Sequence, residues 1–341
     1  MRKLFVPILA GVVALSACAN HVALPSSGGA APPLFGSSRG GAVKPFGLFG
    51  VPVPSKDSGP LGIVTGPNGI VYFTEFLKNK IGMLDTNNHI TEIKIPTPKS
   101  HPNHIIVGAD GNLWFTETIA NKVAKLTTAG VITEYPLPKT NEGPGGMAVG
   151  PNGNVWFTES YRNRIAQVTP TGTVTEMNLP HRNSQPGFIT QALDGTMWFT
   201  EGAGNRIGRV NADNTITEFA VPTPNSSPEG IATGADGKLW FTEAAASKIG
   251  SITTGGVITE FPTLTPNAHP MVITPGPPGH NDLWFTENAA NKIGQITVAG
   301  TVTEFTLPTP NSQPHDISFG AAGFIWFTEY AGNNIAFDSQ P

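Results

Sequence analysis

His315 is the residue whose type and position best suit acid–base chemistry. It stands in the segment NSQPHDISFG (311–320), between Gln313 and Asp316, and Glu329 follows on the next predicted strand. An imidazole titrates near neutral pH and can take a proton from a substrate. The pattern predicts that His315 is a titrating group, and the alternative interpretation is a surface histidine in a loop.

The elements that must position this histidine come from an internal repeat. The phrase WFTE, written YFTE in the first copy, ends in a glutamate seven times, at Glu75, Glu117, Glu159, Glu201, Glu243, Glu287 and Glu329. The spacing is 42 residues except for one interval of 44. Seven units of this length are typical of a solenoid, an array or a propeller.

The strand pattern within one unit favours a propeller over a solenoid or an array. The fifth unit has four short apolar runs, GIATG, KLWFTE, KIGSIT and GVITEF, which are separated by turn residues. Such runs predict a four-stranded antiparallel meander, and apolar residues on both faces require neighbouring sheets on both sides. We therefore predict an all-β fold, a seven-bladed β-propeller. The last unit is one strand short, and FGLFGVPVP (46–54) aligns with its missing strand, so the N-terminal segment should close the last blade.

Differences between the copies indicate where a ligand would bind. The position after the first-strand proline holds Leu61, Asn103, Gly145, Gly187, Glu229, Met271 and His315. The position before it holds Gly59, His101, Gly143, Gln185, Ser227, His269 and Gln313. Both positions begin the innermost strands, so their side chains should surround the central opening. We predict a small molecule or peptide ligand there, with Asn103, Glu229 and His269 among its contacts.

The N-terminus has the pattern of an export signal. Arg2 and Lys3 precede the apolar run LFVPILAGVVAL, and LSAC, which resembles a bacterial lipobox, ends at the only cysteine, Cys18. We predict a signal peptide at 1–17, a flexible tether at 18–43 carrying lipidated Cys18, and the propeller at 44–341. The protein would be exported and held at the cell envelope, in a Gram-negative cell at the outer membrane. A plain secretory signal with an incidental cysteine is the alternative.

The amino-acid composition limits the classes of partner that the protein can bind. The net charge is −4 with only 13% charged residues, so the clustered positive charge that nucleic-acid binding needs is missing. The membrane would be contacted only through the lipid anchor, and a monomer is expected. Forty glycines and 32 prolines favour turns between short strands over helices.

The repeat resembles that of the streptogramin B lyases, also called virginiamycin B lyases, whose propellers contain GxLWFTE, NKIGxIT and GxITEFxLPTPNSxP units. The resemblance covers 46–341. It implies an elimination that opens cyclic depsipeptide antibiotics: a histidine removes a proton alpha to a carbonyl while Mg²⁺ polarises the substrate, and a C–O bond breaks.

The resemblance also implies residue roles. His315 would be the general base, with Glu329 and Gln313 at the metal positions. Met271 and Leu61 would occupy substrate-binding positions. Gln313, Met271 and Leu61 differ in type from the family's carboxylate, histidine and aromatic residue at these places.

Three hypotheses for function therefore stay open. The first is a lyase-like enzyme with His315 as base and Mg²⁺ near Glu329. The second is a non-catalytic propeller, tethered to the envelope, that binds a peptide, glycan or protein partner through the same face. The third is a metal-dependent lactone hydrolase, whose clustered carboxylate and asparagine ligands are not apparent in the sequence.

Overall fold

The computed structural model describes residues 48–320 and 323–338, which form seven four-stranded antiparallel sheets. In these ranges the one helical element is a single 3₁₀ turn, Pro151–Gly153. No helix among the described residues is long and apolar enough to span a membrane. The predicted all-β propeller is confirmed. The predicted signal peptide, Cys18 and the tether lie outside the described residues and stay predictions.

The strands follow one another regularly along the chain. β1 (Phe49–Pro52) comes first. The first three blades are β2 (Pro60–Thr65), β3 (Val71–Glu75), β4 (Lys80–Leu84), β5 (Ile90–Lys94); β6 (Pro102–Val107), β7 (Leu113–Glu117), β8 (Lys122–Leu126), β9 (Ile132–Pro136); and β10 (Pro144–Val149), β11 (Val155–Glu159), β12 (Arg164–Val168), β13 (Val174–Asn178).

The next three blades are β14 (Pro186–Gln191), β15 (Met197–Glu201), β16 (Arg206–Val210), β17 (Ile216–Ala220); β18 (Pro228–Thr233), β19 (Leu239–Glu243), β20 (Lys248–Ile252), β21 (Ile258–Pro262); and β22 (Pro270–Pro275), β23 (Asp282–Glu287), β24 (Lys292–Thr297), β25 (Val302–Thr306). Blade 7 contains β26 (Pro314–Phe319), β27 (Ile325–Glu329) and β28 (Asn334–Asp338).

The N-terminal strand closes the ring as predicted. β1 pairs antiparallel with β28, with Phe49 opposite Phe337 and Pro52 opposite Asn334, and becomes the outermost strand of blade 7. The two ends of the described chain thus share one sheet. This pairing removes the need for end caps, because every blade packs against two neighbours.

The side chains of WFTE point alternately to the two faces of the second strand and pack each blade on both faces. The tryptophan faces one side, where in four blades it stacks on an aromatic residue of the outermost strand, as in Trp240–Phe261 at 5.4 Å between ring centroids. The phenylalanine faces the other side and covers a small residue of the third strand, a glycine in four blades and an alanine in three. A Cβ at Gly250 would lie 2.2 Å from the Phe241 ring, so a larger residue there would require this ring to shift.

The threonine of WFTE connects neighbouring blades. Its hydroxyl donates a hydrogen bond to the carbonyl of the residue after the proline in the next blade's innermost strand in six of seven copies: Thr74, Thr158, Thr200, Thr242, Thr286 and Thr328. Since those carbonyls belong to the residues predicted to surround the opening, the repeat holds the backbone of the candidate site.

The glutamates of WFTE form a buried layer, which we call the acid layer. Burial, and in most copies the nearby carboxylate of the fourth strand, raise the pKa of six of them to about 7 or 8: Glu75, Glu117, Glu159, Glu201, Glu243 and Glu287. The recurrent lysine bonds the fourth-strand glutamate instead, as in Lys248–Glu260 at 3.0 Å.

Candidate active site at the central opening

Each innermost strand begins with a β-bulge. In all seven blades the strand register shifts between the first proline and the residue three positions later, as between Pro314 and Ile317. A bulge leaves its residues out of the regular pairing and redirects their side chains. The two positions after the proline therefore escape the in-and-out alternation of the strand. His315 and Asp316 occupy these positions in blade 7.

His315 is 2% exposed, and neither ring nitrogen has a hydrogen-bond partner among the described residues. Its backbone carbonyl accepts a hydrogen bond of 2.8 Å from the Thr286 hydroxyl of blade 6. Burial, with a smaller contribution from His269, lowers the pKa of His315 to about 3. The imidazole is therefore neutral at physiological pH, with one ring nitrogen free to accept a proton.

Asp316 has a structural role beside this histidine. Its carboxylate accepts hydrogen bonds from the Ile63 amide of blade 1, at 2.9 Å, and from the Ile317 amide, at 2.8 Å. Because both oxygens are used by backbone donors, Asp316 fixes the contact between blades 7 and 1. Together with Thr286 it holds the backbone around His315 from both sides.

Glu229 is the acidic residue at the opening. Its Oε1 accepts a long hydrogen bond of 3.5 Å from the Ser227 hydroxyl, and burial raises its pKa to about 8. The carboxyl group is therefore mostly protonated at pH 7 and can act as a hydrogen-bond donor. A protonated carboxyl group suits an uncharged polar ligand better than a cation.

The remaining predicted positions differ in exposure. Leu61 (2% exposed), Asn103 (3%) and Met271 (4%) are buried, whereas His269 and Gln313 are exposed. Asn103 donates to the Thr118 hydroxyl at 3.2 Å, and its Oδ1 has no partner among the described residues. His269 contributes to the lowered pKa of His315.

Glu329 lies in the acid layer. It is 1% exposed, and its Oε2 accepts a hydrogen bond of 2.9 Å from Asn334, which replaces the recurrent lysine. The fourth strand of this blade is β1, where Gly50 occupies the place of the second glutamate. Glu329 is thus the member of the layer without a lysine or arginine in the recurrent position.

Glu329 is the carboxylate that the resemblance assigns to Mg²⁺ binding near His315. Mg²⁺ takes oxygen ligands in octahedral geometry, usually one or two carboxylates together with water. The described part of the chain has one group of three acidic or histidine side chains within 4.8 Å, Glu142, Glu159 and Glu176, and it includes neither His315 nor Glu329. Arg164 already bonds Glu142 there at 2.9 Å. Magnesium dependence stays a prediction from the resemblance.

Two residues at the opening were missed by the sequence comparison. Tyr330, which follows WFTE in blade 7, has its ring 6.5 Å from that of His315, and its amide donates to the Gln313 carbonyl at 3.1 Å. His104 lies one position beyond Asn103, is fully buried, and has its pKa lowered by burial and by His315. Comparing the copies one position further along each strand would have singled out His104.

Fold and site together define a seven-bladed propeller with two buried, neutral histidines at its central opening. The model of the Virginiamycin B lyase family matches residues 48–336, and the chain belongs to this family. No match was found among curated proteins.

Solved structures agree with the family. Selenomethionine-substituted virginiamycin B lyase from Staphylococcus aureus is 42% identical, with a TM-score of 0.82, 86% of this chain and 98% of that chain covered. A streptogramin B lyase structure is 43% identical, with a TM-score of 0.82 and coverage of 86% and 97%. A catalytically inactive histidine-to-alanine variant of the S. aureus enzyme with quinupristin is 41% identical, with a TM-score of 0.82 and coverage of 86% and 98%.

Proposed function

We propose that the protein is a carbon–oxygen lyase that opens a cyclic depsipeptide or a related ester by elimination, with His315 as the general base. The observation that carries the proposal is the buried His315 imidazole, which begins the innermost strand of blade 7 and has no hydrogen-bond partner among the described residues, in a chain of this family. The inactive histidine-to-alanine variant of the S. aureus relative supports a catalytic histidine in such propellers.

The elimination moves one proton and two electron pairs. His315 takes the proton from a carbon that lies next to a carbonyl group. The electrons of that C–H bond form a C=C bond to the neighbouring carbon, and the bond from this neighbour to the ester oxygen breaks. The oxygen leaves with its electron pair as a carboxylate. The protonated His315 then loses its proton to solvent, and the opened product has the mass of the ring.

The residues at the opening favour an uncharged substrate. His315 is neutral and Glu229 is mostly protonated at pH 7. Leu61 and Met271 are apolar and carry no charge, although both are buried. A depsipeptide ring, whose polar groups are amides and esters, matches these surroundings better than an ionic ligand does.

The test is incubation of purified protein with quinupristin, once with Mg²⁺ and once with EDTA, followed by mass spectrometry. A ring-opened product of unchanged mass is expected from the wild type. His315→Ala should lower its rate of formation by about 10² to 10⁴. The control is His89→Ala, which changes an exposed histidine in the turn between β4 and β5. No product from the wild type, or equal rates with His315→Ala, would contradict the proposal.

A non-catalytic binding propeller is the second candidate. It is favoured by Gln313 and Met271, which bring no charge or base to the site. The low pKa of His315, about 3, also weakens its basicity. Under this alternative, calorimetry would detect ligand binding that is equal in wild type and His315→Ala, without any opened product.

We also propose that Cys18 is lipidated and holds the protein at the envelope. The support is the LSAC sequence after an apolar run. Mass spectrometry of the N-terminal peptide from the native host should show a diacylglyceryl group on Cys18. Cys18→Ser should release the protein from membranes, and an unmodified Cys18 would contradict the anchor.

A further inference from the structure

His104 lies in β6 at the second position of the bulge, where each innermost strand meets the next blade. The other blades have Gly62, Gly146, Phe188, Gly230, Val272 and Asp316 there. Three of these six residues have a side chain, although in blade 1 a Cβ at Gly62 would lie 2.5 Å from the Asn103 carbonyl oxygen. The contacts of the His104 ring show what this histidine does.

One ring nitrogen of His104 is committed to the fold. Its Nδ1 accepts a hydrogen bond of 3.0 Å from the Met147 amide of blade 3. Asp316 does the same for blade 1 by accepting from the Ile63 amide at 2.9 Å. Both side chains thus bond the amide of the corresponding residue in the following blade.

The hydrogen bond from the Met147 amide determines which tautomer the His104 ring adopts. A nitrogen that accepts from an amide carries no proton, so the proton of the neutral ring sits on Nε2. Burial keeps the ring neutral by lowering its pKa to about 3. Nε2 has no partner among the described residues. His104 is thus a hydrogen-bond donor of fixed orientation, and an Nε2 that carries a proton cannot bind a metal ion.

The unpaired donor belongs to the same opening as His315. Both histidines stand just after the first proline of an innermost strand, His104 in blade 2 and His315 in blade 7, and β2 of blade 1 packs against both strands. His315 also contributes to the lowered pKa of His104. On another side the ring meets Phe188 of blade 4 edge to face, with 6.2 Å between centroids. A buried donor without an acceptor costs stability, and a ligand oxygen would remove that cost.

We infer that the Nε2–H group of His104 donates a hydrogen bond to the carbonyl oxygen of the substrate, next to the carbon that His315 deprotonates. This inference rests on the proposed elimination. Negative charge develops on that oxygen as the proton leaves, and a fixed donor stabilises it most in the transition state. The ligand group at this position is a peptide or ester carbonyl.

Two substitutions test the roles of the two ring nitrogens of His104 separately. In His104→Asn, the amide oxygen can still accept from the Met147 amide, but the distal donor is lost. In His104→Gln, an amide N–H can reach the place of Nε2, but the acceptor for Met147 is lost. Together they distinguish a role in the reaction from a role in holding blades 2 and 3 together.

With quinupristin as substrate, His104→Asn should lower kcat by about 10² to 10³ while the melting temperature stays near that of the wild type. His104→Gln should melt at a lower temperature yet keep more of the turnover than His104→Asn does. His89→Asn is the matched control on an exposed histidine. Wild-type kcat in His104→Asn would overturn the inference.

NMR provides a readout that does not depend on turnover. Long-range ¹H–¹⁵N spectra of the folded protein should show His104 protonated on Nε2 alone between pH 5 and 8. Adding quinupristin to the His315→Ala variant should shift the Nε2–H resonance. A proton on Nδ1, or no shift at saturating quinupristin, would overturn the inference. A shift without turnover by the wild type would instead reject the lyase proposal while keeping His104 as a ligand donor.

Discussion

The acid layer and the central opening both bury ionisable groups, but the layer repeats one arrangement in nearly every blade and the opening does not. The layer repeats one arrangement around the ring, in which six WFTE glutamates have raised pKa values and, in most blades, the fourth-strand glutamate bonds a basic residue. The opening has a different residue in nearly every blade. Among the described residues, nitrogens of His104 and His315 have no hydrogen-bond partner there, and the carboxylate oxygens of the six layer glutamates have none either, so the difference lies in repetition. Repetition therefore marks architecture, whereas unrepeated polar groups mark the place where a ligand can bind.

The largest effect expected from this comparison comes from removing the same repeated threonine hydrogen bond in two different blades. Thr286 donates to the His315 carbonyl and Thr158 donates to the Gly187 carbonyl, both at 2.8 Å. Each Thr→Val change should cost about 1–2 kcal/mol of unfolding free energy, because a buried hydrogen bond is lost. Only Thr286→Val should also lower kcat, on the order of tenfold, since it releases the backbone of His315.

Chemical denaturation and the quinupristin assay measure the two quantities for both variants. If the two variants have equal kcat, the bond from blade 6 does not position His315. If only Thr286→Val unfolds more easily, the six repeated bonds are not equivalent in energy.

The acid layer should make stability depend on pH. The six glutamates have folded pKa values of about 7 or 8, above the ordinary glutamate value of 4.5, so the folded state holds protons that the unfolded state releases. Their contribution is lost as pH rises through the folded values. The melting temperature should therefore be higher at pH 6.5 than at pH 8.5.

The two buried histidines make folding stability depend on pH in the opposite sense, and they do so at lower pH. His104 and His315 have folded pKa values of about 3, below 6.5, so their contribution to stability is lost only as pH falls below about 6.5. Scanning calorimetry at pH 6.5 and 8.5 spans the window in which the acid layer and Glu229 titrate. Glu243→Gln should reduce the difference between the two melting temperatures, and an unchanged difference would show that Glu243 does not bind the extra proton.

The smallest expected effect concerns Glu229. Because its pKa is raised to about 8, Glu229→Gln replaces a mostly neutral group by another neutral group at pH 6.5. Quinupristin affinity measured by calorimetry should then agree with the wild type within about twofold. At pH 9 the wild type should bind more weakly than the variant, because its carboxylate is ionised. Equal pH profiles would place Glu229 outside the ligand contacts.

Much of the fold could be predicted because it follows from local signals. The repeated WFTE phrase and the turn residues predicted seven blades of four strands. The alignment of 46–54 with the last unit predicted the closure that β1 and β28 make. His315 was singled out because blade 7 departs from its sister copies. Its burial was not predicted, since burial depends on neighbouring blades.

Within the site, the sequence by itself determined which residue types begin each innermost strand, and thereby that His315 and Glu229 stand at equivalent positions of different blades. Only the tertiary structure decided what those groups can do. The bulges redirect the side chains, the Met147 amide selects the tautomer of His104, and burial leaves both histidines neutral and Glu229 mostly protonated. The physical reason is that tautomer and protonation depend on neighbours in space, which the closed ring brings together from distant parts of the chain.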